Sequence, residues 1–262
     1  MSKLKLSYLC TVLLILYFPI IVLIVFSLNN STYSLDWHGF SFRWYAALWK
    51  NYEIWQAAWH SLVLGVIAAS SATLLGGLTA INFYRYQFAG RSYLQMSLIT
   101  ALIAPDIMLA IALLVLCKTL HISFGFASLL CAHITLCLPF VAISIHNSLK
   151  TCDKNIFEAA KDLGASEFTL LTTITVPMIW PQIAAAWLLS FTLSLDDIVI
   201  SYFVSGPKFD ILPLKIYALA RLGVKPELNA LCSIMFCLTI LLVLGAHWLQ
   251  QRHQTGKIPY AT

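Results

Sequence analysis

The feature that most constrains this chain is a series of long apolar runs, six in all, at roughly 6–28, 59–83, 93–117, 126–146, 178–205 and 228–249. A helix that crosses a bilayer needs about 20 mostly apolar residues, and a spanning strand only about ten in alternation. Runs this long satisfy their own backbone groups only as helices. The expectation is an all-α, polytopic integral membrane protein with six transmembrane helices in a single domain over 1–262. Composition agrees: 60% of the residues are apolar and 10% charged, with a mean hydropathy of +0.83. One soluble core of this size cannot hide so much apolar surface. The net charge of +5 comes with no basic run of the kind that grips nucleic acid.

The first run follows Lys3 and Lys5, exceeds the length of a signal-peptide core and precedes no A-x-A-like site, so it is expected to stay as an anchor. Seven cysteines lie almost all in apolar stretches without a CxxC pair and read as small buried hydrophobes. No metal site and no catalytic residue is expected. His60, His133, His146 and His247 lack i, i+4 partners, and no activated nucleophile stands out.

With the N-terminus in the cytoplasm, nine Lys and Arg fall inside, among them Lys3, Lys5, Arg85, Arg91, Lys150 and Lys161. Seven fall outside, with Lys208, Lys215, Arg221 and Lys225 in one loop. The short loops near the first helix favour this orientation and the 206–226 loop opposes it. Residues 29–58 would lie outside, carrying Trp37, Trp44, Trp49 and Trp55. They read as an interfacial belt or, for a ring such as Trp44, as a cation-binding wall at a vestibule mouth.

Between the fourth and fifth runs, the polar stretch at about 150–177 reads as two short helices around a turn. Asp153 caps the first, whose apolar positions are Ile156, Phe157, Ala160 and Leu163; Gly164 supplies the turn and Ser166 caps the second. Such an element is either a stiff loop or a docking knob for a cytoplasmic partner.

The residues within it narrow that choice. Glu158-Ala159-Ala160, three residues, Gly164, nine residues, Ile174, one residue and Val176-Pro177 resemble the EAA loop of the membrane subunits of ABC importers, with Val176 where leucine is usual. The resemblance implies a coupling helix that seats in a groove of an ATPase, and hence a cytoplasmic N-terminus. The stretches APDIMLAIALLVL, EAAKDLGASEFTLL and LSFTLSLDDIVISYFVSGP extend it to the PotC-type permeases of bacterial spermidine/putrescine importers. This family implies a type I ABC importer permease fold in the bacterial inner membrane, with both termini cytoplasmic. The partners it implies are a PotB-type second permease, an ATPase dimer and a periplasmic polyamine-binding protein. The chain has no G-x4-G-K-[ST] phosphate loop, so ATP and Mg2+ are expected on the separate ATPase, with no cofactor bound here.

Only Asp106, Asp196 and Asp197 place a carboxylate within the predicted spans. An aspartate near mid-bilayer, as Asp106 is expected to be, costs about 2.5–3.5 kcal/mol on insertion scales. It is tolerated against a water-filled path or a partner charge, or where it bonds backbone groups freed by Pro105. The adjacent Asp196 and Asp197 point about 100° apart on an unbroken helix, so both face one path only if the helix breaks; the alternative is that one of them caps such a break or pairs with a partner subunit. For a polyamine, whose ammonium groups alternate with methylene stems, the three carboxylates would be anionic stations. Trp187, Phe191 and Tyr202 would be aromatic walls or simply packing. The alternative is a self-contained secondary carrier for polyamines or other organic cations, which predicts inverted repeats and leaves the EAA spacing unexplained.

Overall fold

The computed structural model describes residues 3–31, 36–223, 226–237 and 240. Among them secondary structure is helical, apart from the isolated bridges Asn29–Phe40 and Gly206–Phe209. The chain forms two compact units, one of residues 1–54 with 216–262 and one of residues 55–215.

In the first unit, α1 (Lys3–Ser27) carries an apolar 18-residue window with a mean hydropathy of 3.0, none of it buried by the protein. A helix apolar all round with no protein cover belongs in lipid or against another subunit. The chain then turns on Asn29, whose side chain is fully buried. Its Nδ2 donates to Asp36 O at 2.6 Å and its Oδ1 accepts from His38 N at 2.9 Å. The short helix α2 (Arg43–Lys50) follows, and Asn51 Nδ2 donates to Glu227 Oε1 at 3.0 Å. Residues 226–237 are helical, which covers the start of the expected sixth span; most of the remainder, 238–249, lies outside the described residues.

The second unit is built around α6 (Phe126–Lys150). It packs against α10 (Trp180–Asp196), α11 (Val199–Val204) and α4 (Arg91–Ile103). One apolar cluster joins Leu64, Ala110, Leu113, Leu129, Ala132, Ile200 and Val204; a second joins Ala80, Val141, Ile145, Leu149, Ile179 and Ala186. Both draw on α3 (Tyr52–Arg85), which at 34 residues is about 50 Å long and so overruns a hydrocarbon core of about 30 Å. Gly76 lets α3 approach α6 closely, since a Cβ there would stand 2.9 Å from Val141 Cβ.

Two expected spans are broken. The 93–117 run is α4 and α5 (Asp106–Thr119) at 114° to one another. Pro105 forces this: it excludes Ala104 from the helical region, and Ala104 is extended at φ −61°, ψ 135°. The second break lies at the start of the 178–205 run. There the helical stretch Glu167–Met178 bends by 72° into α10, at Ile179, with Pro177 and Pro181 each in a helix first turn. Among the described residues three helices, α1, α3 and α6, are long and apolar enough to span, or up to five spans result if each bent pair counts as one. Six uninterrupted spans are not what the described residues form.

Candidate functional site

The loop after α6 folds as its sequence predicts. Asp153 caps α7 (Lys154–Asp162) by accepting from Asn155 N at 3.0 Å. Ala165 N donates to Ala160 O at 3.0 Å and Gly164 N to Lys161 O at 2.9 Å, the paired bonds of a Schellman turn. Gly164 sits at φ +81°, a region costly to any residue with a Cβ. Ser166 then caps α8 (Glu167–Thr169), accepting from Thr169 N at 3.1 Å. A π-helical turn, Leu170–Thr175, carries Ile174 into α9 (Val176–Met178), where Pro177 lies in the first turn. Thr175 Oγ1 donates to Leu170 O at 2.9 Å across that turn.

Burial within the loop is uneven. Of the apolar positions of α7, Ala160 is buried and Phe157 packs on Tyr84 with ring centroids 5.8 Å apart, but Ile156 points outward. Leu163 is 89% exposed and Phe168 75% exposed, one on each side of Gly164. Helical periodicity reads such residues as core; here the turn presents them as an apolar tip, beside exposed Glu158 and Ala159. Arg85, at the end of α3, forms an ion pair with Glu167, and Lys161 Nζ lies 3.8 Å from Glu167 Oε1.

The three membrane aspartates separate into two kinds. Asp106 is not within a continuous mid-span helix, as expected, but is the exposed first residue of α5 at the Pro105 break. Asp196 ends α10, also exposed. Asp197 leaves the helix at φ −70°, ψ 121° and turns inward to cap α11. Its Oδ1 accepts from Ile200 N at 3.2 Å, and its Oδ2 accepts from Ser201 N at 2.8 Å and Ser201 Oγ at 2.7 Å. The break aims the adjacent carboxylates in different directions. A carboxylate at a helix N-terminus is favoured by unpaired N–H groups and by the helix dipole.

Behind Asp197 lies a group that sequence spacing does not reveal. His133, fully buried on α6, pairs through Nδ1 with Ser194 Oγ at 2.6 Å and through Nε2 with Ser201 Oγ at 2.9 Å. Because Ser201 donates its hydroxyl proton to Asp197, it accepts from His133; the imidazole proton then sits on Nε2, and Nδ1 accepts from Ser194. The only sequence hint is the polar series Ser190, Ser194 and Ser201 on an otherwise apolar segment.

The aromatic candidates are also divided. Trp187 stacks on Phe191 with centroids 5.4 Å apart and planes at 5°, and its Nε1 donates to Ser70 Oγ at 3.1 Å. Trp187 also lines an apolar groove of about 770 Å3 between α3 and the helices from Leu171 to Leu188. Tyr202 is exposed on α11 and edge-on to Phe203. Trp44 belongs to the other unit. Its indole N–H donates to Asn29 O at 2.9 Å and the Arg43 guanidinium covers its ring at 4.5 Å, so a cation of the chain itself already occupies that face.

Residues 72–256, a stretch holding the loop, its turn and both acidic breaks, match the family described as "Binding-protein-dependent transport system inner membrane component". The chain belongs to that family. Its relatives include the "Spermidine/putrescine transport system permease protein PotC" of Escherichia coli K12, 48% identical over 92% of each chain. The "Putrescine transport system permease protein PotI" of the same organism is 36% identical over 93% of this chain and 89% of its own. Among solved structures, a chain of a bacterial alginate ABC transporter, crystallised with an alginate-bound periplasmic protein, superposes with a TM-score of 0.73. It covers 97% of this chain and 95% of its own at 17% identity, a likeness of fold. As a member of the family, this chain is a multi-pass membrane subunit of an ABC importer, a transport subunit without catalysis of its own.

Proposed function

We propose that the chain is the PotC-type half of a polyamine importer, moving spermidine or putrescine inward along a path shared with a PotB-type permease. The observation that carries this reading is the 48% identity to a spermidine/putrescine permease across 92% of both chains. The chemistry agrees with it. Asp196 and Asp106 present carboxylates at two helix breaks, where unwound backbone is tolerated when it lines a cavity. Spaced anions, and the Trp187–Phe191 stack on the same helix as Asp196, suit a flexible polycation, held at several weak stations so that it can be released.

The remaining parts follow the same assignment. The loop tip at Leu163, Gly164 and Phe168, with the EAA residues Glu158, Ala159, Ala160, Ile174 and Pro177, docks on an ATPase dimer in the cytoplasm. That ATPase holds the ATP and Mg2+. A periplasmic binding protein delivers polyamine on the other side. The complete subunit has six spans in the bacterial inner membrane, with both termini cytoplasmic. The identity to PotC and the EAA spacing support this over a self-contained carrier, which has no use for a docking loop.

The test is uptake of labelled spermidine in cells that lack other polyamine importers, expressing this chain with its partner subunits. Uptake should need ATP hydrolysis by the ATPase and fall with Asp196→Asn at normal expression. Uptake that persists with a hydrolysis-dead ATPase would falsify the importer reading and favour the carrier.

A further inference from the structure

Beside the EAA loop, where α3 and α6 end, a polar cleft of about 500 Å3 opens among four segments. Arg85 comes from the end of α3, Arg91 from the start of α4, Lys150 from the end of α6 and Lys161 from α7. Glu158 is the one carboxylate on its wall, and Glu167 engages Arg85 and approaches Lys161. Among the described residues no carboxylate comes within ion-pair distance of Arg91 or Lys150. One polar atom on the same wall, Tyr84 Oη, is buried without a hydrogen-bond partner. Buried polar atoms are rarely left unpaired, and each such atom calls for an explanation.

We propose that this cleft binds a phosphate group. Uncompensated Arg and Lys with a phenolic hydroxyl form a donor-rich, anion-selective surface, and a phosphate brings several acceptor oxygens to meet it. The Arg91 guanidinium matches two of those oxygens at once. A cation is excluded by the surplus positive charge. The site lies where two spanning helices end, the level at which phospholipid headgroups stand, and basic pockets between helices on the cytoplasmic side take such headgroups. A phospholipid and soluble phosphate share this chemistry and are the two possible sources. Either one would bridge α7, through Lys161, to the ends of α3 and α6, and so stiffen the loop. The inference is independent of which substrate is carried.

The test uses the purified transporter complex, delipidated and then supplied with phosphatidylglycerol or phosphatidylcholine, read by native mass spectrometry and by thermal melting. A parallel arm adds inorganic phosphate against chloride at matched ionic strength. The wild type should retain phosphatidylglycerol over phosphatidylcholine, or gain melting temperature with phosphate. The first outcome identifies a lipid headgroup and the second soluble phosphate. Arg91→Gln with Lys150→Gln should weaken the effective ligand roughly 25-fold, at about fivefold for each cation removed. Arg91→Lys with Lys150→Arg should keep binding. If the glutamine pair does not assemble, Tyr84→Phe, which deletes one hydroxyl, is read for the same loss. Equal retention of both lipids without a phosphate effect overturns the proposal, and so does unchanged binding in the variant that is read.

Discussion

Arg85 and Glu167, 82 residues apart, form an ion pair that ties the last residue of α3 to the first residue of α8. Glu167 is largely exposed, so the pair adds little to stability; exposed pairs contribute about 0–1 kcal/mol. Its geometry matters more, because it fixes the EAA loop to the helix that runs the depth of the membrane. Arg85→Ala is expected to leave expression and melting nearly unchanged while lowering substrate-stimulated ATPase activity several-fold. Exchanging the charges, Arg85→Glu with Glu167→Arg, should restore part of it. If the exchange recovers nothing beyond the single variants, the pair is not the link.

Gly164 has open space around the position of a Cβ, so substitution there acts through the backbone alone. Gly164→Asn, which tolerates the left-handed region, should be mild. Gly164→Val should be severe, at about 1–2 kcal/mol of local strain or more. Both should insert in the membrane. ATPase co-purification is the measurement, and equal retention by Asn and Val would count against a coupling role for this turn.

Leu163 and Phe168 are exposed on either side of that turn, where an apolar pair suits contact with a partner. Leu163→Ser with Phe168→Ser should leave the melting temperature of the isolated subunit within about 1 °C. Removal of two central apolar contacts should weaken ATPase binding at least tenfold. A loss of stability with no loss of association would show that they pack within the chain instead.

Asp196 and Asp197 should respond differently to the same change. Asp196→Asn deletes an exposed charge and is expected to reduce uptake with stability intact. Asp197→Ala leaves the N–H groups of Ile200 and Ser201 without their acceptor and should destabilise by about 1–2 kcal/mol, as losing a helix cap does. His133→Ala, which strands Ser194 and Ser201, should also destabilise, by about 1–3 kcal/mol. Identical phenotypes for the two aspartates would contradict this division of roles.

Lys208 is exposed in the turn after α11, on the side that a cytoplasmic N-terminus would place outside the cell. A cysteine placed there should react with an impermeant thiol reagent in intact cells. Reaction only after lysis reverses the orientation.

What the sequence determined by itself is local. The length of each apolar run sets where a helix can cross. The spacing Asp153, Gly164, Ser166 sets the double-capped loop, because each cap bond reaches only two to five residues along the chain. Pro105 likewise marks a break through its own ring. The tertiary structure alone decided the rest. The angle of 114° at that break, and the exposure of Asp106 that comes with it, depend on what α4 and α5 pack against. Asp196 and Asp197 are identical in sequence terms, and only the packing of α6 beside the break, with His133 61 and 68 residues from its serines, turns one inward as a cap and leaves the other facing out. Leu163 shows the same limit from the other side. Periodicity marks it as apolar, but whether an apolar residue is core or contact surface depends on whether another element arrives to cover it, and among the described residues none does.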